Sequence, residues 1–459
     1  RAGVDMEMHG DAYLCHLAEL VEEGAIDVRA VDAAVARILT LKFRLGLFEN
    51  PYTDPGAFPA VGDEDALATA RVAALQSAVL LKNERRALPL AADGLASLAV
   101  IGPLADAPHD QLGTWIFDGD DSLSITPLRA IRDALGDGTE VRYLRAMETS
   151  RSRDTGTFDE AAALAAGADA TVLFLGEEAI LSGEAHCRAD IGLPGAQAEL
   201  VARVSAAGKP VIAVILAGRP LTLGDIVERV DAILYAWHPG TMAGPAIADL
   251  LFGAESPSGK LPATFPRMVG QVPVYYNHKN TGKPPSPDTV VHIDDIDPSA
   301  PQLSLGMTSF HLDAGFTPLF PFGHGLSYAD FDYANIRSDI DEFHEGGAVT
   351  ISAEVTNTGD RAADEVVQLY VRDLVGSVTR PVRELKGFRR VRLEPGETVT
   401  VSFVLRAEDL AFHGRDMRLV TEPGEFHAWI GGSSATELRT AFRFAANDAD
   451  RTPKPALRP

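Results

Sequence analysis

Cysteine is nearly absent: Cys15 and Cys187 are the two in 459 residues. They lie far apart without metal-spaced partners, which excludes a disulfide framework and a cysteine-built zinc cluster. No run of about 18 uncharged apolar residues occurs, so no segment reads as a membrane-spanning helix. Basic residues are outnumbered, Lys plus Arg being 41 against 65 Asp plus Glu, for a net charge of -24. That sign repels phosphate backbones and anionic lipid, and argues against nucleic acid or a membrane surface as partner. There is no internal repeat. Neither a P-loop nor a serine elbow is present, since Gly431-Gly432-Ser433-Ser434 and Gly253-Ala254-Glu255-Ser256 read as turns. The first residues, Arg1 to Met8, lack an initiator Met and a basic, apolar, small-residue signal pattern. The expectation is that the chain starts partway through a larger fold. What is there is ordinary globular material: 46% apolar and 23% charged residues, enough for two to four domains at roughly 100–200 residues each.

Apolar residues recur at three and four from Asp11 to Phe48 (Tyr13, Leu14, Leu17, Leu20, Val21, then Val31, Val35, Ile38, Leu39, Leu45), predicting two amphipathic helices punctuated at Glu23-Gly24. Ala2 to Met8 reads as a short strand. One strand and two helices cannot bury their own apolar faces, so this piece must pack on a larger body. Asn50-Pro51 to Pro55-Gly56 ends the helical pattern. Beyond it come the short continuous apolar runs 98–101, 170–175, 211–216 and 232–235, which read as strands covered on both faces. Helical patterns over 159–166, 195–206 and 244–252 alternate with them, predicting an α/β domain with a mainly parallel sheet, whose ligands sit beyond the carboxyl ends of its strands. Residues 266–332, rich in Pro, Gly, Asn and Asp, read as an extended connection. From Tyr333 the pattern switches to period two, with turns at Asn357-Thr358-Gly359-Asp360 and Glu394-Pro395-Gly396-Glu397, predicting a β-sandwich.

The stretch from Phe174 to Asp190 follows a predicted buried strand and precedes a helix, and it crowds Glu177, Glu178 and Glu184 beside His186 and Arg188. A carboxyl partly buried among other carboxylates can have a raised pKa and act as general acid; the alternative is a set of solvated charges neutralised by Arg188. A second loop, Gln111 to Asp121, places Trp115 and Phe117 among Gly and Asp residues including Asp118. Aromatic faces can stack on a sugar ring while carboxylates accept its hydroxyls; the alternative is that Trp115 anchors the loop. His238 and His324 sit beside glycines and read as hydrogen bonders in tight turns. Cys187 is a poor candidate nucleophile because adjacent His186 would point elsewhere.

The segments Ala2-Gly3-Val4-Asp5-Met6-Glu7-Met8, Leu41 to Pro51, Val79 to Glu84, Gly218-Arg219-Pro220-Leu221 and Pro318 to Tyr328 together resemble glycoside hydrolase family 3 of the β-glucosidase type. Glu365 to Val371 and Arg383 to Phe388 look like that family's fibronectin type III-like domain. The resemblance implies a multidomain chain of mixed class, α/β plus all-β. Residues 1–48 would be the last strand and helices of a (β/α)8-type barrel, 49–69 a linker and 70–265 an α/β sandwich domain carrying the acid/base loop. The connection would be 266–332, the fibronectin type III-like (Ig-like) β-sandwich 333–446 and a tail 447–459. It also implies an exo-acting retaining β-glycosidase that releases single sugars from the non-reducing ends of β-linked oligosaccharides or aryl and alkyl β-glycosides. Such chemistry needs two carboxyl groups roughly 5–5.5 Å apart. The position matching the family's acid/base is Glu184, with Glu177 and Glu178 as runners-up because this loop varies in length. Trp115 matches a sugar-stacking tryptophan, and Phe117 and Asp118 are neighbouring candidates for substrate binding.

The family's aspartate nucleophile sits in a Ser-Asp-Trp-like motif ahead of the Ala-Gly-Val-Asp-Met segment, and no such motif occurs in this chain. Asp5, on the family's last barrel strand, is expected to make structural contacts instead. The nucleophile is therefore expected from an N-terminal barrel fragment of the same enzyme, in a missing part or another chain, and this chain is expected to fold stably only against it. No cofactor and no metal are implied, and homodimerisation is left open. The alternatives are a β-xylosidase, or a non-catalytic carbohydrate-binding or scaffold fragment. A periplasmic or secreted location is favoured over the cytoplasm.

Overall fold

The computed structural model describes residues 3–58, 61–117, 119–301, 305 and 307–446. The expected tail from 447 and the candidate Asp118 lie outside the described residues. The chain divides into two units, 1–63 and 64–459.

The first unit holds the two expected helices, α1 (Ala12–Glu22) and α2 (Val28–Arg44). The Asp27 carboxylate caps α2 by accepting from the Arg29 N–H at 2.9 Å. No residue of either helix is buried, and Leu14, Leu41, Phe43 and Leu45 are exposed. The strand expected before them does not form: residues 3–8 are irregular. A strand needs a neighbouring ladder to satisfy its backbone, and this segment instead uses its side chains locally. Glu7 accepts from the N–H groups of Ala12 and Tyr13 at the start of α1, at 3.2 and 2.6 Å. Asp5 accepts from Arg37 Nε at 2.7 Å, and this bond holds its carboxyl below the usual range.

The second unit opens with α3 (Glu64–Ser77), which starts inside the segment read as linker. Its Ala-rich sequence gives little apolar periodicity. A six-stranded sheet follows: β1 (Val79–Asn83), β2 (Ser97–Ile101), β3 (Glu140–Leu144), β4 (Ala170–Gly176), β5 (Val211–Leu216) and β6 (Ala232–Trp237), in the order β1-β6-β5-β4-β2-β3. All neighbours run parallel except β1 against β6. The interspersed helices are α4 (Pro127–Leu135), α5 (Phe158–Ala166), α6 (Gln197–Ser205), the single turn α7 (Gly224–Val227) and α8 (Ala243–Phe252). Both sheet faces are covered. Leu173 and Leu175 of β4 join one core with Phe158, Leu200 and Val204, while Val172 and Phe174 join another with Leu128, Ile131 and Leu250. This is why the strands read as continuous apolar runs.

From β2 the chain crosses outward to β3, then returns to β4 and continues the other way through β5 and β6. The direction therefore reverses between β2 and β4. The crevice beyond their carboxyl ends is where a doubly wound sheet leaves room for a ligand.

Among the described residues, 266–330 contain no α-helix and no extended strand. The segment pairs through isolated bridges with Leu80 of β1 and with Pro381, so it touches both flanking bodies. The sandwich comprises β7 (Phe331–Ser338), β8 (Glu342–His344), β9 (Ala348–Asn357), β10 (Ala363–Asp373), β11 (Glu384–Leu393), β12 (Thr398–Arg406), the small pair β13 (Phe412–His413) and β14 (Leu419–Val420), β15 (Gly424–Gly431) and β16 (Arg439–Ala445). Its main sheets, β11-β10-β15-β16-β8 and β12-β9-β7, enclose a core that includes Val349, Ile351, Val367, Leu369, Phe426 and Ile430.

Candidate active site

Four loops leave the carboxyl edge of the sheet at this crevice: 102–126 after β2, 177–196 after β4, 217–223 after β5 and 238–242 after β6. The three glutamates of the second loop have separate fates. Glu177 is fully buried, with Arg188 Nη1 against one carboxylate oxygen and Arg219 Nε at 3.1 Å from the other. Glu178, also buried, accepts from the Ser150 hydroxyl and lies 3.4 Å from Arg151 Nε. Neither carboxylate is open to a substrate. Glu184 is exposed, with no hydrogen-bond or ion-pair partner among the described residues.

The turn that presents Glu184 is held firmly although its tip is free. Gly183 has φ +120°, and a Cβ there would fall 2.3 Å from Thr114 Cγ2, so glycine is the residue this crossing allows. The Thr114 hydroxyl donates to either Ala179 O or Ser182 O, at 2.8 and 3.0 Å, and lies 2.9 Å from Ser182 Oγ. Asp110 accepts from the Ala179 N–H at 3.1 Å, and burial raises its carboxyl pKa. At the far end of the loop the buried Gln197 accepts from Gly176 N–H and donates to the carbonyls of Gly176, Ser150 and Pro194, at 2.8 to 3.1 Å.

Thr114 directly precedes Trp115, so one side chain fastens the aromatic loop to the glutamate loop. Trp115 and Phe117 are 62% and 85% exposed, with ring centroids 6.2 Å apart. They do not anchor their loop in a core; Thr114 and the fully buried Gln111, which donates to Gly240 O at 3.0 Å, do that.

His238 arrives from the end of β6, where the register shifts beside Leu216 and Trp237 takes φ +58°. Its Nε2 lies 3.3 Å from Ser182 Oγ, and its buried Nδ1 has no hydrogen-bond partner among the described residues. Burial lowers its pKa to about 4. Above the unfolded value near 6.5 both states are neutral; below it the unfolded chain takes the proton first. His238 is therefore expected to cost the fold on the order of 2–3 kcal/mol as pH falls from 6.5 to 4. Urea melts at pH 7 and pH 4.5 should show a loss that is reduced in His238→Gln; an equal loss in both proteins would assign it to other groups. His324 is the turn hydrogen bonder expected of it, Nε2 donating to Leu81 O at 2.9 Å. Cys187 is exposed and free. Among the described residues no group of three or more His, Cys, Asp or Glu side chains is arranged to hold a metal ion, and no helix is long and apolar enough to cross a membrane.

A doubly wound sheet with an acidic and an aromatic loop at its switch point, joined to a fibronectin-like sandwich, defines the C-terminal portion of a class of multidomain glycosidases. Residues 78–328 match the glycosyl hydrolase family 3 C-terminal domain, and residues 365–434 a fibronectin type III-like domain. The chain belongs to glycosyl hydrolase family 3. It is 38% identical to the periplasmic beta-glucosidase of Salmonella typhimurium over 96% of its own length and 59% of the relative's. It is 37% identical to a beta-xylosidase of Formosa agariphila, over 96% and 60%. Among solved structures it is similar to the beta-glucosidase from Listeria innocua in complex with isofagomine, with a TM-score of 0.83 and 37% identity, covering 97% of this chain and 60% of that one. The chain thus spans 59% and 60% of the length of these two sequence relatives.

Proposed function

We propose that this chain supplies the general acid/base and the leaving-group side of a retaining, exo-acting β-glycosidase site. The observation that carries the reading is that Glu184 alone of the loop's three glutamates is free and solvent-facing, on a turn fixed at both flanks. Glu184 protonates the glycosidic oxygen as the C1–O bond breaks and its electron pair moves to that oxygen, while an aspartate carboxylate bonds to C1. Glu184, now a carboxylate, then takes a proton from water as the water oxygen bonds to C1 and the aspartyl ester C1–O bond breaks. That aspartate belongs to a preceding barrel segment, on which α1 and α2 lay their exposed apolar residues as the last barrel helices. The name of the Salmonella relative supports a β-glucosidase and a periplasmic location; the name of the Formosa relative keeps β-xylosidase as the second reading.

One experiment tests both halves of the proposal: turnover of an aryl β-glucoside and an aryl β-xyloside by the complete protein and by residues 1–459 alone, each with Glu184 and with Glu184→Gln. Activity confined to the complete protein and lost with Glu184 supports it. A complete protein that turns over neither glycoside would leave the carbohydrate-binding reading.

Trp115 is assigned to stacking on the leaving-group sugar. Trp115→Ala is expected to raise KM for cellobiose about tenfold, the loss of one aromatic stacking surface worth about 1–1.5 kcal/mol, while KM for a small aryl glucoside changes less than threefold. Equal changes for both substrates would remove the assignment.

A further inference from the structure

The segment Gly218-Arg219-Pro220 contacts the Glu184 loop from the end of β5, and its arginine does more than neutralise Glu177. One terminal nitrogen of Arg219 donates to the carbonyl of Leu181 and, at 3.0 Å, to the carbonyl of His186. These two carbonyls flank the turn Ser182–Ala185 on either side of Glu184. The Arg219 Nε–H meanwhile donates to Glu177 at 3.1 Å, and Tyr235 OH donates to the Arg219 carbonyl, so the guanidinium itself is fixed. A Cβ on Gly218 would lie 2.3 Å from Ser182 Oγ, a separation that lets the loop rest directly on the strand end. Arg188, the second cation on Glu177, donates to Gly192 O at 3.0 Å and closes the loop further along.

We infer that Arg219 is the positioning residue for Glu184: its single planar head ties both feet of the turn together and sets where the carboxyl is delivered. This rests on the reading of Glu184 as the acid/base. A lysine could keep the charge but lacks the fork needed to serve Glu177 and two carbonyls together. Misplacing a catalytic group by about 1 Å can cost on the order of a hundredfold. The loss must fall on the step that needs the proton.

The test compares Arg219→Gln, Arg219→Lys and Glu184→Gln in the complete protein, with cellobiose and with 2,4-dinitrophenyl β-D-glucoside. The dinitrophenolate leaves without protonation, so kcat/KM for that substrate is insensitive to the acid. Arg219→Gln is expected to lower kcat/KM for cellobiose about 10- to 100-fold with KM within about twofold, and to lower kcat/KM for the dinitrophenyl glucoside less than threefold. Arg219→Lys should show the same split, smaller in size, and it decides the matter if the glutamine variant does not fold. Equal losses on both substrates, or no loss, would overturn the positioning role while Glu184→Gln still shows its own split. If Glu184→Gln shows no split, the acid/base reading fails and the role of Arg219 is refuted with it.

Discussion

Glu184→Gln is expected to lower kcat/KM for cellobiose by about 10²–10⁴-fold, the usual contribution of a general acid. The amide keeps the shape of the side chain and cannot deliver a proton to the leaving sugar. The two steps of the reaction should separate. With 2,4-dinitrophenyl β-D-glucoside the first step needs no proton, so kcat/KM should stay within about tenfold of the parent protein while kcat collapses, because water now attacks the glycosyl-enzyme without a base. Azide requires no base: its terminal nitrogen bonds to C1 as the ester C1–O bond breaks, and glucosyl azide should accumulate with kcat partly restored. Glu177 and Glu178 are not expected to stand in, since one is enclosed by two guanidinium groups and the other is bound to Ser150 and Arg151. Residual activity above about a tenth of the parent value on cellobiose would return the assignment to those neighbours.

The largest effect on stability should come from Glu177→Leu. Glu177 is fully buried, and the side chains of Arg188 and Arg219 retain 20% and 18% of their exposure. Removing one partner of such a group leaves cations in a poorly hydrated site without a counter-charge, a loss of about 3–5 kcal/mol. Glu177→Gln keeps an acceptor for one guanidinium and should lose about half as much. Urea unfolding of the α/β domain, followed by far-UV circular dichroism, checks both. A loss below about 1 kcal/mol for the leucine variant would mean that the two arginines find water or other carbonyls without disturbing the loop.

Much of the fold was legible because strands β4, β5 and β6 are covered on both faces, and such burial writes itself as short runs that are almost wholly apolar. β3, Glu-Val-Arg-Tyr-Leu, was not legible: it is the edge strand, half exposed, and its apolar content is too low to stand out. α3 escaped for the opposite reason, since alanine forms helix without marking a face. The irregular path of residues 3–8 shows that apolar alternation specifies a strand only where another strand is there to receive it. Within the site, the resemblance pointed to Glu184, but the contrast among the three glutamates between 177 and 184 depends on Arg219, which meets Glu177 across 42 positions of sequence. No local pattern carries that contact. His238 was likewise legible only as a turn residue, because its neighbour Ser182 lies 56 positions away.

The fastening of Thr114 to the Ser182–Gly183 crossing also has a bearing on how this site can diverge or be re-engineered. The two loops share atoms at van der Waals limits, with a methyl group occupying the space any larger residue than Gly183 would need. Lengthening the aromatic loop would therefore drag the turn that carries Glu184 out of register. The smallest piece that can be grafted between homologous scaffolds is not one loop but a cassette of three, 110–117, 177–197 and 218–220, carried together with His238.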